Sequence, residues 1–169
     1  MNKLLNEALK ITQELGDVIF IGALATYLHT KNPRDSQDLD FVVPRPIPDE
    51  QLLAKKYLKS MTGKQPWHSP RGIKIDIYTR DIPGVPFEAM VKYSKKFQVG
   101  KKGQIRVIGL EPLVVAKHTA QRDQDIEDLR YIAKSRLKVI DWNIVQYITN
   151  DKYKTGLIRK DLEFLAKII

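Results

Sequence analysis

At 169 residues and 43% hydrophobic content, the chain can bury one sizeable core. It contains no cysteine, which excludes disulfides and thiolate metal ligands. The net charge of +9 is concentrated: residues 51–108 carry 13 basic and 3 acidic side chains, against 5 and 8 before them and 11 and 9 after. A field of one sign over the middle third fits a polyanionic partner, with phosphate the leading candidate, and equally fits a surface made soluble by lysine.

Residues 2–15 space Leu4, Leu5, Ala8, Ile11, Thr12 and Leu15 as one helical stripe, and Gly16 suits the stop. Val18–Ile21 is a buried strand, and Gly22 ends it just before a helical stretch at 23–29. Strand, glycine and helix start in succession offer backbone N–H groups at the positive end of a helix dipole, suited to a phosphate. The apolar run from Val18 to Leu28 is too short to span a membrane, and Glu7, Glu14 and Asp17 precede it where a signal peptide carries positive charge. The expectation is a cytoplasmic protein with no membrane partner.

After a polar loop at 31–37, Asp38–Val43 forms a second strand, with Leu39, Phe41 and Val43 inward and Asp38 and Asp40 on the opposite face. Two carboxylates one residue apart lie roughly 7 Å apart by strand rise. That spacing lets them share or bracket divalent cations. Helix propensity resumes at Asp49, with Leu52, Leu53, Lys56, Leu58 and Met61 on one side, followed by a loop at 62–72. The stretch 73–78 then alternates cleanly, burying Ile73, Ile75 and Ile77 and turning Lys74, Asp76 and Tyr78 the other way. If this strand pairs beside the Asp38 strand in a fitting register, Asp76 joins the other two carboxylates, and such a cluster calls for a bound cation. Otherwise Asp76 is the polar half of a half-exposed strand.

Residues 87–93 read as helix and residues 97–109 as a hairpin around Gly100-Lys101-Lys102-Gly103. Lys92, Lys95, Lys96, Lys101, Lys102 and Arg106 interleave here with Tyr93 and Phe97, a mixture that suits single-stranded nucleic acid as well as a solvated hairpin. From Gly109 onward the chain is helical. Lys117 falls on the apolar stripe of Leu110, Leu113, Ala116 and Ala120, so it either snorkels to water or enters a polar cavity. Acids at 123–128 open the next helix, where they complement its dipole. Two amphipathic helices close the chain, the first capped by Asp141 with Trp142, Val145 and Ile148 inward, the second striped by Leu157, Ile158, Leu162, Leu165 and Ile169. His29, His68 and His118 have no ligand spacing and receive no role. The composition divides a mixed core, 1–110, from a helical part, 111–169, packed on it as one unit.

Gly22-Ala23, the run Arg34-Asp35-Ser36-Gln37-Asp38-Leu39-Asp40-Phe41 and a lone Asp76 on a later strand together resemble the nucleotidyltransferase fold. The likeness is nearest to the AbiEii-type and minimal nucleotidyltransferases, some of which are toxins of toxin–antitoxin pairs. Lys117 followed by Arg122-x-x-Asp125-x-x-Asp128 resembles a further segment of that family. The resemblance implies an α/β (α+β) fold with a central mixed sheet flanked by helices. It further implies an enzyme that moves a nucleoside monophosphate from ATP or another nucleoside triphosphate to a hydroxyl of RNA, a protein or a small molecule.

On that resemblance Asp38, Asp40 and Asp76 are the catalytic carboxylates and the ligands of Mg²⁺ or Mn²⁺. Gly22 and Ala23 donate N–H groups to the phosphates, and Ser36 a hydroxyl. Arg34 contacts phosphate, and Lys117 reaches the triphosphate or the adjacent acids. The basic stretch 51–106 favours a tRNA or other RNA acceptor, and the toxin likeness an antitoxin partner. One position departs from the pattern, because the family has Gly or Ser where this chain has Ala23, which offers no hydroxyl. That departure supports an alternative: a module of weak or lost activity that binds RNA or a partner protein. A metal-dependent nuclease fits less well, since Asp76 is followed by Ile77-Tyr78 and no acid-x-lysine pair stands on that strand.

Overall fold

The alternating stretches become strands and the periodic ones helices, in a computed structural model that describes residues 1–32, 35–61 and 67–168. Helix α1 (Asn2–Leu15) leads into β1 (Ile19–Phe20), α2 (Gly22–Thr30) and β2 (Asp38–Val42). A short α3 (Asp49–Ala54) is followed by β3 (Leu58–Lys59), β4 (Trp67–His68) and β5 (Lys74–Tyr78). Then come α4 (Phe87–Lys92) and the hairpin of β6 (Lys95–Val99) with β7 (Gly103–Val107). The helices α5 (Leu110–Ala120), α6 (Asp123–Arg136), α7 (Trp142–Thr149) and α8 (Lys152–Leu165) complete the chain.

Among the described residues the strands form one mixed sheet in the order β3-β4-β5-β2-β1-β7-β6. Its centre is β2, antiparallel to β1 and parallel to β5. β1 is only two residues long but fully buried, and it joins the two halves by running parallel to β7. Phe20 and Phe41 meet edge to face at its centre, ring centroids 5.6 Å apart. α1 covers one part of the sheet, packing against β2, β6 and β7, while α2 packs on β2 and carries α5 and α6 on its outer side. α7 and α8 pack on α5, α6 and one another. No described helix is long and apolar enough to cross a membrane.

Two expectations change at the edge of the sheet. The predicted helix from Asp49 stops at Ala54, because Lys56 takes a left-handed φ of 64° and turns the chain. That turn buries Tyr57, whose hydroxyl donates to Glu14 on α1, and leaves Leu58 and Met61 exposed instead of on a helical stripe. Within the predicted loop at 62–72, β4 adds Trp67 and His68 to the sheet through antiparallel pairing with β5. Arg71 fixes the turn before β5 by gripping Glu7 at 2.7 Å and Glu14 at 2.7 Å, which fastens the strand to α1. On α8, Ile158 and Leu162 are buried as expected, but Leu157 stays largely exposed. Arg34, Lys64 and Ile169 lie outside the described residues.

Candidate active site

The register of the two central strands assembles the site. β2 and β5 run parallel with Asp40 opposite Asp76 and Asp38 opposite Lys74. Since side chains alternate along both strands, all four project from the same face, and Leu39 and Ile75 bury the other. The convergence of Asp76 on the Asp38–Asp40 strand is therefore met.

The junction of β1 and α2 closes over these carboxylates. Ile21 N donates to Asp40 O at 2.9 Å, which holds the first turn of α2 against the middle of β2. Gly22 begins that helix with φ 64°, and a Cβ there would run into the Asp40 carboxylate. Glycine is required on both counts: the backbone is left-handed and the helix end touches the acid. No side chain caps α2 at Ile21. Gly22, Ala23, Ser36, Asp38, Asp40, Asp76 and Lys117 all line one cavity of about 630 Å³. Ser36 donates its hydroxyl to Asp38 O at 3.4 Å, within the loop that delivers β2.

The opposite wall comes from α5 and α6. Lys117 is 5% exposed and pairs with Asp125 at 2.8 Å and Asp128 at 2.7 Å, both fully buried. Of its two anticipated directions Lys117 takes the one toward the adjacent acids. The acids at the start of α6 thus do more than complement a dipole, since Asp125 also accepts from Arg122 Nε at 2.7 Å and from its backbone N–H at 3.3 Å. Burial alone would raise the Asp125 carboxyl, but hydrogen bonds from Arg122 and Lys117 outweigh it and hold the group below the usual range. Arg122 lines the cavity as well, as do Lys74 and Tyr78. Composition gave no direct signal for these three. Strand alternation sets Lys74 and Tyr78 on the face of Asp76, and the Arg122-x-x-Asp125 run carries Arg122, but neither signal by itself assigns them to the site.

Electrostatically the acid wall is strained. Burial, followed by the nearby charges of Asp76 and Asp38, pushes Asp40 up to about 6. Among the described residues no three His, Asp or Glu side chains already stand at metal-ligand spacing, and Asp38 leans toward Lys74 Nζ at 3.5 Å. The donor chemistry nevertheless fits a hard divalent cation. Asp40 and Asp76 form an all-oxygen pair whose repulsion a cation would relieve, and Asp38 would join on leaving a weak, half-exposed ion pair. The histidines play structural parts: His29 Nε2 meets Ile108 O at 2.8 Å and His118 Nε2 meets Asp161 at 2.8 Å.

JHP933 from Helicobacter pylori has a similar structure, with a TM-score of 0.54 and 16% identity over 98% of this chain and 90% of that one. An antigenic nucleotidyltransferase-like protein from Paracoccidioides brasiliensis is similar with a TM-score of 0.59 and 13% identity, over 98% and 91%. At such identities the likeness is one of fold. No curated protein matches the sequence. The family model described as nucleotidyltransferase of unknown function (DUF6036) matches residues 1–164. Its match spans the sheet, both walls of the cavity and nearly all of α8, and the chain is a member of that nucleotidyltransferase family.

Proposed function

We propose that the protein transfers a nucleoside monophosphate from a nucleoside triphosphate to a hydroxyl acceptor, with Mg²⁺ or Mn²⁺ held by Asp38, Asp40 and Asp76. The observation that carries this reading is the pairing of Asp40 with Asp76 beneath an uncapped helix start, in one cavity. A divalent cation held there would supply neutralisation of phosphate charge and polarisation of the phosphorus under attack. Gly22 and Ala23 offer backbone N–H groups to the triphosphate, Ser36 offers its hydroxyl, and Lys117 and Arg122 add positive charge from the facing wall. The Asp76 carboxylate receives the proton of the acceptor hydroxyl as the new O–P bond forms and pyrophosphate leaves. Against the Gly or Ser of the family, Ala23 lacks a hydroxyl and leaves less room for close approach, and it keeps its N–H.

RNA is the acceptor to try first, given the lysines of 51–106, and the AbiEii likeness makes tRNA modification by a toxin, held in check by an antitoxin, the leading biological setting. Calorimetry with each triphosphate should detect binding that needs Mg²⁺. Asp38→Ala and Asp40→Ala should each weaken it at least tenfold, or about 1.4 kcal/mol. Binding indifferent to the metal and to both substitutions would overturn the reading. Tight binding without any transfer would instead support the alternative of an inactive module.

A further inference from the structure

The cavity carries a tyrosine on the same strand as Asp76. Among its described lining residues only Ser36 and Tyr78 carry hydroxyls, and that of Ser36 is engaged with Asp38 O. Tyr78 is 38% exposed, yet its hydroxyl makes no hydrogen bond to any described residue. At that exposure the phenol is open to solvent and to whatever enters the cavity. Tyr78 ends β5 two residues after Asp76, and the parallel register sets it opposite Val42, one pleat beyond the Asp40–Asp76 pair. It therefore shares the face of all three carboxylates and stands roughly 7 Å along the strand from Asp76, within the reach of its own side chain.

We infer that Tyr78 is an internal acceptor, and that the protein attaches a nucleoside monophosphate to itself at this hydroxyl. The inference rests on the transfer activity proposed above. Tyr78 Oη forms a bond to the α-phosphorus of the bound triphosphate. The bond from that phosphorus to the bridging oxygen of the β-phosphate breaks, and pyrophosphate departs with the electron pair. The phenolic proton passes to Asp76, and the product is a tyrosyl phosphodiester. The triphosphate is the sole co-reactant. Because Tyr78 and Asp76 share a strand, the reaction runs within one chain and stops at one nucleotide per molecule. The attached nucleotide then lies inside the cavity, so a modified molecule no longer serves an external acceptor.

The test incubates the full chain with Mg²⁺ or Mn²⁺ and each of four ribonucleoside triphosphates, with and without total tRNA. Intact mass and peptide mapping then locate the adduct. The expected result is a gain of one nucleoside monophosphate on the peptide carrying Tyr78, at a first-order rate independent of protein concentration. It should be lost in Tyr78→Phe, which keeps the ring for packing or base stacking, and in Asp40→Asn. Transfer to tRNA with Tyr78 unmodified would overturn this inference while leaving the transfer activity standing. An adduct on another residue, or a rate that rises with protein concentration, would also overturn it. Absence of label on both protein and tRNA, in every triphosphate and metal, would overturn it together with the activity it rests on.

Discussion

Asp40 is a charge that the metal-free fold disfavours. Its carboxyl is pushed up to about 6 in the folded protein, against 3.8 for an ordinary aspartate, because it is largely desolvated and faces Asp76 and Asp38. Below pH 3.8 the group is protonated in folded and unfolded chains alike, and it costs nothing. As pH rises from there to about 6 the unfolded chain ionises first, the penalty grows, and above about 6 it is fully present. Asp40→Asn should therefore stabilise the metal-free protein at pH 7 by up to about 3 kcal/mol, and the gain should shrink to about 0.5 kcal/mol at pH 4. Chemical denaturation at the two pH values measures this, and an Asn variant less stable than the parent at pH 7 would contradict it. Mg²⁺ should raise the melting temperature of the parent and leave the variant unmoved. Lys117 presents the converse case, a buried cation whose removal strands two buried acids. Lys117→Ala should cost about 3–5 kcal/mol, with a melting-temperature scan as the check.

At the scale of elements, the site depends on the meeting of α2 with β2. Gly22→Ala places a Cβ against the Asp40 carboxylate in a left-handed backbone, so it should destabilise by about 1–3 kcal/mol and weaken triphosphate binding as well. A variant with unchanged melting and binding would show that the helix start is not pressed on the acid. Much of this was legible in the residues. The alternation of 38–43 and 73–78 gave both central strands and their polar faces, and Gly22 marked the strand-to-helix turn. What alternation cannot give is register between strands remote in sequence, which decides whether Asp76 meets Asp40 or misses it. The end of α3 was also hidden. Apolar spacing continued through Leu58 and Met61, while the pull came from Tyr57 seeking Glu14 and from a left-handed Lys56, both tertiary effects. Asp125 and Asp128 read from the sequence alone as dipole complements, the family resemblance adds the adjacent acids as one of two destinations for Lys117, and the packing of α5 against α6 decides between them.

For the whole molecule, basic residues of the middle third that the structure describes fall at both edges of the sheet. Lys55, Lys56 and Lys59 sit by the β3 edge of the sheet, whereas Lys95, Lys96 and Lys101 are exposed at the β6 edge, six positions across in strand order. Several other basic residues are occupied: Arg71 by Glu7 and Glu14, and Arg106 by Asp17 at 2.8 Å. RNA affinity, measured by filter binding, should fall steeply with salt, and Lys95→Glu with Lys96→Glu should reduce both the affinity and the salt slope. Affinity indifferent to salt would remove RNA as a partner of this surface. The helical part in turn holds the back of the cavity, since α5 and α6 both pack on α2 and supply Lys117 and Arg122.

In the proposed activity three strand carboxylates and one helix start act together on a triphosphate. The most direct test follows label from the α-phosphate of each nucleoside triphosphate, with Mg²⁺, onto protein and tRNA in the parent, Asp40→Asn and Asp76→Asn. Transfer is expected in the parent and in neither variant, with both variants folded. Equal labelling in all three, or transfer that survives removal of every divalent cation, would contradict it.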